Sequence, residues 1–477
     1  MPIEKLEPIE KLEPTERLEL MTTPTNSPVP GPLVAEHEGQ LKRALGLPAL
    51  VLFGLVYIVP LTVFTTYGIV TQTTGGRLPV AYIVTLFAMA FTALSYARMV
   101  VAFPVAGSAY TYTQKTFGAP LGFLIGWSLL LDYLFLPMIN YLVIGIYMEA
   151  AFPAVPAWVY ILVSIAIVTV LNVVGIVSVS RASSIIVAVQ TVFILTFVAM
   201  SVATVTGKGT VDLAAPFRGD GSATGLGVVF AGAAVLCLSF LGFDAVSTLS
   251  EEAKRPTHDV PRAIIMATLG AGLLFIVLSY LSQLVFPSNA FTDVDSGSLD
   301  VMRTAGGKFL ETFFTAAYVA GCIGSALTSQ ASVSRILYAM GRDGILPRKF
   351  FGYVSPKFST PVYAILLVSV VSLLAIVIDL TTLASIISFG ALVAFSAVNL
   401  SVIKHYFIDL RERSGLGLLR HLILPLIGFV LTVWLWFSLS GLTLIVGMCW
   451  LGIGLLWLLF VTRGLRRPTP VMDIEPE

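Results

Sequence analysis

Asp132 places a carboxylate in the middle of the apolar run SLLLDYLFLPMIN, residues 128–140. An ionised carboxylate at the centre of a bilayer costs at least about 3 kcal/mol, so it needs a cationic partner or a watery cavity. Ser128, Asp132, Leu136 and Asn140 recur at four-residue spacing, which gives one helical face a mostly polar stripe. We find no Lys or Arg at a comparable depth, so a cation from outside is the expected partner.

The residues around Asp132 suit an ammonium group. Pro137 lacks an N–H, so the carbonyl of Tyr133 is expected to lose its helical partner. A carboxylate, a free carbonyl and a tyrosine ring can together accept an ammonium, which donates three hydrogen bonds and is attracted to aromatic faces. The alternative is a protonated Asp132 that makes a structural hydrogen bond to a neighbouring helix.

A second acidic stripe lies in FDAVSTLSEE, residues 243–252. In an α-helix, Asp244, Ser247, Thr248 and Glu251 would share one face, which could form an exit route or a proton path. Of the two acids in this stripe, Asp244 is the better candidate for a titrating or gating acid. Salt bridges of Glu251 at an inner gate are the alternative.

These acids belong to a chain that is 57% hydrophobic and only 12% charged. Its apolar residues come in blocks of the length that crosses a bilayer, roughly 20 residues. We number the predicted spans 1 to 12: 47–71, 79–100, 120–151, 156–176, 181–206, 226–250, 262–286, 308–340, 360–379, 383–404, 420–438 and 441–462. The pattern predicts an all-α polytopic membrane protein.

The basic residues are distributed unequally between the two sides of this predicted bundle. Twenty Lys and Arg fall in the short connections and flanks on the side of the termini, and five fall on the other. Because basic residues collect on the cytoplasmic side, both termini are predicted to be cytoplasmic. The acidic and proline-rich tail 1–44, with its repeat IEKLEPIEKLEP, and the tail 463–477 are predicted to be disordered.

Two spans carry helix-breaking residues. Pro60 interrupts span 1, where it should leave the Val56 carbonyl without its helical partner, and Gly242 interrupts span 6 beside Asp244. Broken helices at corresponding positions of two halves are typical of transporters with inverted repeats. We therefore predict repeats at 45–210 and 211–406, followed by spans 11 and 12 at 407–462. Ordinary kinks are the alternative.

Residues for enzyme chemistry are not grouped in the sequence. The four histidines lie in tails and flanks, and the three cysteines lie in apolar blocks without metal-binding spacing. No hydrolase, protease or phosphate-loop motif occurs. We therefore predict no enzyme activity, no metal, no cofactor and no nucleic-acid partner; the predicted partners are the lipid bilayer, a small amine and protons.

Three motifs resemble those of the amino acid–polyamine–organocation transporter superfamily. They are FPVAGSAYTYTQKTFG (103–118), FDAVSTLSEEAKRPTHDVPRAI (243–264) and SRILYAMGRDGILP (334–347). The stretches LLDYLFLPMIN (130–140), SFLGFDAVSTLSEE (239–252) and FGALVAFSAVNLSV (389–402) look most like bacterial putrescine importers. The resemblance extends over residues 45–462 and implies a leucine-transporter-type 5+5 inverted repeat plus two helices.

The resemblance also implies a substrate site between spans 1, 3, 6, 8 and 10. Ser385 and Ser388 would lie nearby on span 10, and Asp244 stands where relatives often carry an acid linked to gating or proton coupling. From the residues themselves, Phe64 and Phe243 are candidate occluding rings, and Glu251 is a further candidate for proton coupling or gating. The implied binding residues are Tyr57, Ile58, Val59, Pro60, Thr62, Asp132, Tyr133, Ser239, Phe240, Phe243, Asp244 and Ser329.

Departures from the family pattern narrow the substrate. Amino acid transporters of the family have a glycine-rich turn in span 1 whose amides receive the substrate carboxylate, whereas this chain has Pro60-Leu61-Thr62. Gln190 stands where some proton-coupled relatives carry a lysine. We therefore predict an importer of putrescine or a similar diamine in the bacterial cytoplasmic membrane, driven by protons. An amino acid permease or exchanger, and an amine sensor that signals through its tails, are the alternatives.

Overall fold

The computed structural model describes residues 43–105, 108–175, 179–209, 211–342 and 344–469. The predicted tail 1–44 lies outside the described residues up to residue 42, and the C-terminal tail does so from residue 470. Eleven helices in the described part are long and apolar enough to cross a membrane, and the helix of span 9 is shorter. The predicted all-α polytopic architecture is confirmed.

The observed helices follow the predicted spans closely. Spans 1 and 6 consist of several pieces, and span 8 contains a kink at Gly306 and Gly307. The bounds are Leu47–Ile58, Pro60–Phe64 and Tyr67–Thr73 (span 1), Leu78–Ala102 (2), Ala119–Ala151 (3), Ala157–Val174 (4), Val179–Gly207 (5), Gly227–Leu236, Cys237–Phe240 and Asp244–Leu249 (6), Pro256–Val285 (7), Ser298–Arg342 (8), Val362–Ser372 and Leu373–Ile376 (9), Leu380–Val402 and Ile403–Asp409 (10), Leu419–Ile423 and Leu424–Phe437 (11) and Gly441–Val461 (12). Short helices lie at Ser108–Phe117, Ala215–Arg218, Arg348–Phe351 and Gly415–Leu418.

Span 1 breaks where proline interrupts its hydrogen bonds. Its α-helix ends at Ile58, Val59 adopts a φ of 53°, and a 3₁₀ turn begins at Pro60. A positive φ is a genuine outlier for a β-branched residue. The Val56 carbonyl has no N–H of residue 60 to accept, as predicted, and it accepts the Val59 N–H at 3.2 Å instead, so a tighter turn replaces the lost helical bond.

Span 6 breaks at Gly242, whose φ of 115° favours glycine. The segment that follows, Asp244–Leu249, is a 3₁₀ helix rather than the expected α-helix. Since side chains eclipse every three residues in a 3₁₀ helix, Asp244 and Ser247 align with Ser250. The predicted α-helical face that joins Asp244 to Thr248 and Glu251 is therefore wrong.

The three most enclosed membrane-spanning helices, spans 3, 6 and 10, all contribute to the predicted site. Of their apolar windows, 67% of span 3 and 78% of spans 6 and 10 are buried, against 17% of span 12. Spans 3, 6 and 10 therefore form the centre of the bundle.

The chain segments that flank the two broken helices are joined to each other by backbone hydrogen bonds. The Leu45 N–H donates to the Glu252 carbonyl at 3.0 Å, and the Lys254 N–H donates back to the Leu45 carbonyl at 2.9 Å. The chain before span 1 is thus paired with the chain after span 6.

Side-chain hydrogen bonds fix the surrounding helices in register. The indole N–H groups of Trp127 and Trp450 each donate to the other residue's carbonyl, at 3.0 and 2.8 Å, which binds span 12 to span 3. Between spans 4, 8 and 9, Gln330 accepts from Asn172 at 2.8 Å and donates to Ser369 at 2.7 Å. Such satisfied buried networks specify helix positions.

Candidate binding site at the membrane centre

Asp132 lies in the centre of the bundle with an unused acceptor. Only 9% of its surface is exposed, and its Oδ1 atom has no hydrogen-bond partner among the described residues. Span 10 packs tightly behind it: Ser128 donates to the Gly390 carbonyl at 3.1 Å, and a Cβ on Gly390 would lie 2.7 Å from the Ser128 carbonyl. Span 3 continues as a helix through Pro137.

Asp244 lies directly after the break in span 6 and is also buried. Its Oδ1 accepts the Gly242 N–H at 3.3 Å, and its Oδ2 accepts the Ser108 hydroxyl at 3.2 Å. In the part of the chain that the structure describes, neither Asp244 nor Asp132 forms a salt bridge. Among the described residues, these two buried carboxylates therefore have no cationic side chain as a partner.

Three tyrosines surround this pair of acids. The two carboxylates lie within electrostatic reach of each other, and Tyr57, Tyr96 and Tyr133 each lie within reach of both. Carboxylates bounded by aromatic rings suit an ammonium group, which pairs with the charge and is attracted to the ring faces. Two acids together suit a molecule with two ammonium groups.

The breaks in spans 1 and 6 bring these groups together. A Cβ on Gly242 would overlap the Tyr57 ring and lie 3.2 Å from the Ile58 nitrogen, so the two breaks are in direct contact. Thr62 donates to the carbonyls of Val59 at 2.8 Å and Ile58 at 3.3 Å, which occupies acceptors freed at the break.

A cavity of about 880 Å³ begins at span 1 beside this cluster. It extends between spans 1, 3, 4, 5 and 8 to the segment 358–361, and Arg335 is the charged residue in its lining among the described residues. Leu136 and Asn140, from the stripe that contains Asp132, line it too. The predicted site residues in its wall are Tyr57, Ile58, Val59, Thr62 and Ser329.

Other predicted residues lie in the packed wall rather than at an open surface. Ser239 contacts the Tyr82 hydroxyl at 3.3 Å, and the Phe240 ring meets Phe275 edge-on at 5.4 Å. Phe243 is fully buried against Tyr96 and Phe395, with ring centroids 5.6 and 5.0 Å away.

The remaining predictions are placed as follows. Phe64 lies in an aromatic cluster with Phe193, Phe197 and Phe314. On span 10, Ser385 is buried and Ser388 contacts the Val235 carbonyl at 3.4 Å. Glu251 is partly buried, in the turn that follows the 3₁₀ helix of span 6.

Sequence reasoning missed Tyr96 and Ser108. Tyr96 looks like an ordinary apolar residue of span 2, and Ser108 is separated from Asp244 by 136 residues. The motif FPVAGSAYTYTQKTFG contains Ser108, but nothing in its spacing indicates that partner. Gln190 lines the cavity from span 5, and its buried Nε2 has no hydrogen-bond partner among the described residues.

Comparison with known proteins identifies the family of this arrangement. The model of the family described as amino acid permease matches residues 49–476. The chain belongs to the amino acid permease family. This confirms the predicted superfamily and, with it, a multi-pass membrane protein of the transporter class.

Several curated permeases are similar over most of their length. The low-affinity putrescine importer of Escherichia coli K12 is 41% identical over 437 residues, which are 90% of this chain and 96% of the relative. The branched-chain amino acid permease of Bacillus subtilis is 31% identical over 78% of this chain and 83% of the relative. The methylthioribose transporter of the same organism is 29% identical over 87% of this chain and 92% of the relative.

Proposed function

We propose that this permease imports putrescine or a diamine of similar length across the bacterial cytoplasmic membrane. The observation that carries the proposal is the pair Asp132 and Asp244, two buried carboxylates without a salt bridge among the described residues. Burial of unpaired charge is costly, and a diammonium molecule compensates both charges at once. The similarity to a putrescine importer supports the same substrate class.

Each residue has a proposed role in this site. Asp132, with its free Oδ1, would pair with the first ammonium, and Tyr57 and Tyr133 would lie against the substrate. Asp244 would face the second ammonium in its ionised form, and its titration is the proposed link to the proton gradient. The remaining predicted residues would form the wall of the binding site and the route from it to the cytoplasm.

The break in span 1 argues against a substrate with an α-carboxylate. Pro60 has no N–H to donate, and the Thr62 hydroxyl points its hydrogen at the protein's own carbonyls. With two acids nearby, a substrate carboxylate would add a third negative charge. This favours a diamine over an amino acid, although one relative is named a branched-chain amino acid permease.

The orientation follows from the distribution of basic residues. We propose that both termini are cytoplasmic because twenty basic residues flank the spans on their side and five flank them on the other. The cavity that reaches segment 358–361 would then open toward the cytoplasm.

The test is uptake of labelled putrescine into proteoliposomes with an imposed proton gradient. We expect gradient-dependent uptake that cadaverine inhibits and leucine does not. Asp132→Asn should weaken putrescine recognition by at least about 100-fold, since it removes one partner of a buried charge pair. Asp212→Asn, which changes a surface carboxylate paired with Arg218, should behave like the native protein.

Two results would contradict the proposal. Strong competition by leucine without putrescine entry would indicate an amino acid permease. Saturable putrescine binding without flux would indicate a sensor.

A further inference from the structure

The helix Ser108–Phe117, between spans 2 and 3, reaches Asp244 from outside the spans. Its first residue, Ser108, is 4% exposed and donates its hydroxyl to the Asp244 Oδ2 at 3.2 Å. Ser108 has a φ of 52°, which is uncommon for a residue other than glycine. Such strain persists where the surroundings hold it in place.

Two further contacts attach this helix to the scaffold. The Tyr112 ring meets the Tyr96 ring of span 2 edge-on, with centroids 5.9 Å apart. Near the other end, Thr116 donates to the Ser401 hydroxyl of span 10 at 3.1 Å. The helix therefore joins the break of span 6 to spans 2 and 10.

We infer that Ser108 is a positioning residue, which holds the Asp244 carboxylate in the site while it is ionised and releases it when it takes up a proton. The inference rests on the proposed function for its role in transport. A hydrogen bond to an ionised carboxylate is roughly twice as strong as one between neutral groups. Protonation of Asp244 therefore loosens the attachment of span 6 to the short helix.

Several titratable groups face Asp244 and therefore influence whether it is protonated or ionised. They are Asp132 and Tyr133 of span 3, Tyr57 of span 1, Tyr96 of span 2 and Tyr112 of the short helix. Ser108 differs from all of them because it donates directly to Asp244 and cannot itself titrate near neutral pH.

The first experiment measures putrescine uptake against external pH for the native protein, Ser108→Ala and Ser108→Thr. We expect Ser108→Ala to raise the KM about tenfold, as for loss of a hydrogen bond to a charged group, and to change the pH profile. Ser108→Thr keeps the hydroxyl and should restore both. Thr113→Val is the matched control, because it removes a buried hydroxyl of the same helix that has no hydrogen-bond partner among the described residues.

The second experiment needs no substrate. The unfolding midpoint of purified native protein should exceed that of Ser108→Ala at high pH, and this difference should shrink as the pH falls and Asp244 is neutralised. In an Asp244→Asn background, Ser108→Ala should lower the unfolding midpoint by a smaller amount that is the same at every pH, because an amide oxygen accepts only a neutral hydrogen bond.

The outcomes separate the two proposals. If the native protein does not take up putrescine, the proposed function fails, while the pH dependence of the unfolding midpoints still tests Ser108. An equal midpoint difference at every pH, or an equal loss of uptake in Thr113→Val, would overturn the role of Ser108.

Discussion

Replacing Gly242 with alanine tests whether the break in span 6 depends on its close packing against span 1. The φ of 115° at this position is strained for any residue with a side chain, at about 1–3 kcal/mol. The new Cβ would also overlap the Tyr57 ring and lie 3.2 Å from the Ile58 nitrogen. Overpacking of this kind costs about 1–3 kcal/mol. We therefore expect a combined destabilisation of about 2–6 kcal/mol.

The loss should appear in both folding and transport. The thermal unfolding midpoint in detergent should fall clearly, and the KM for putrescine should rise because Tyr57 lies beside both carboxylates. Gly452→Ala is the matched control: a Cβ there meets no atom within 4 Å, and alanine is favoured over glycine in a helix. If Gly242→Ala keeps the native midpoint and KM, the two breaks do not support each other as described.

Three further predictions concern hydrogen bonds around the site. Thr62→Val leaves two carbonyls at the break of span 1 without their hydroxyl donor, so it should lower stability by about 1 kcal/mol. The measurement is the unfolding midpoint, which should fall. An unchanged midpoint would mean that Thr62 does not stabilise the break. Trp450→Phe keeps an aromatic ring but loses the hydrogen bond to the Trp127 carbonyl, so stability should fall by a similar free energy, seen as a lower unfolding midpoint. The KM for putrescine should stay at the native value. A raised KM would contradict a purely structural role for span 12. Gln330→Leu leaves the polar partners of the Gln330 amide, Asn172 in span 4 and Ser369 in span 9, without a hydrogen-bond partner in span 8 and should lower stability by about 1–3 kcal/mol. An unfolding midpoint at or above the native value would show that this network does not stabilise the protein.

The sequence predicts the acids and the breaks because each conflicts with its surroundings. A carboxylate in an apolar span has few physical explanations, so Asp132 and Asp244 stand out without a structure. Pro60 and Gly242 stand out for the same reason, since neither continues a helix. The structure places these four positions in two adjoining breaks and two buried acids.

The directions in which side chains point, and contacts between residues distant in the sequence, could not be predicted in the same way. The stripe from Asp244 assumed 3.6 residues per turn, whereas three residues per turn brings Ser250 into line instead of Thr248. Whether Phe240 points toward the substrate or toward span 7 depends on the rotation of a short 3₁₀ segment, which local sequence does not determine. Ser108 meets its partner through a contact between residues 136 positions apart, which local sequence does not indicate.

The unpaired acids also determine how the membrane voltage would act on the transport cycle. With both carboxylates ionised, the empty site carries two negative charges. A bound diammonium molecule brings this sum to zero, and the proton proposed to drive import brings it to one positive charge. An interior-negative voltage would then draw the loaded site inward and drive the empty, negative site back toward the outside. Each elementary charge that crosses the whole field contributes about 2.3 kcal/mol per 100 mV. The voltage would therefore assist both steps, and its larger effect would be on the return of the empty site, which carries the larger charge.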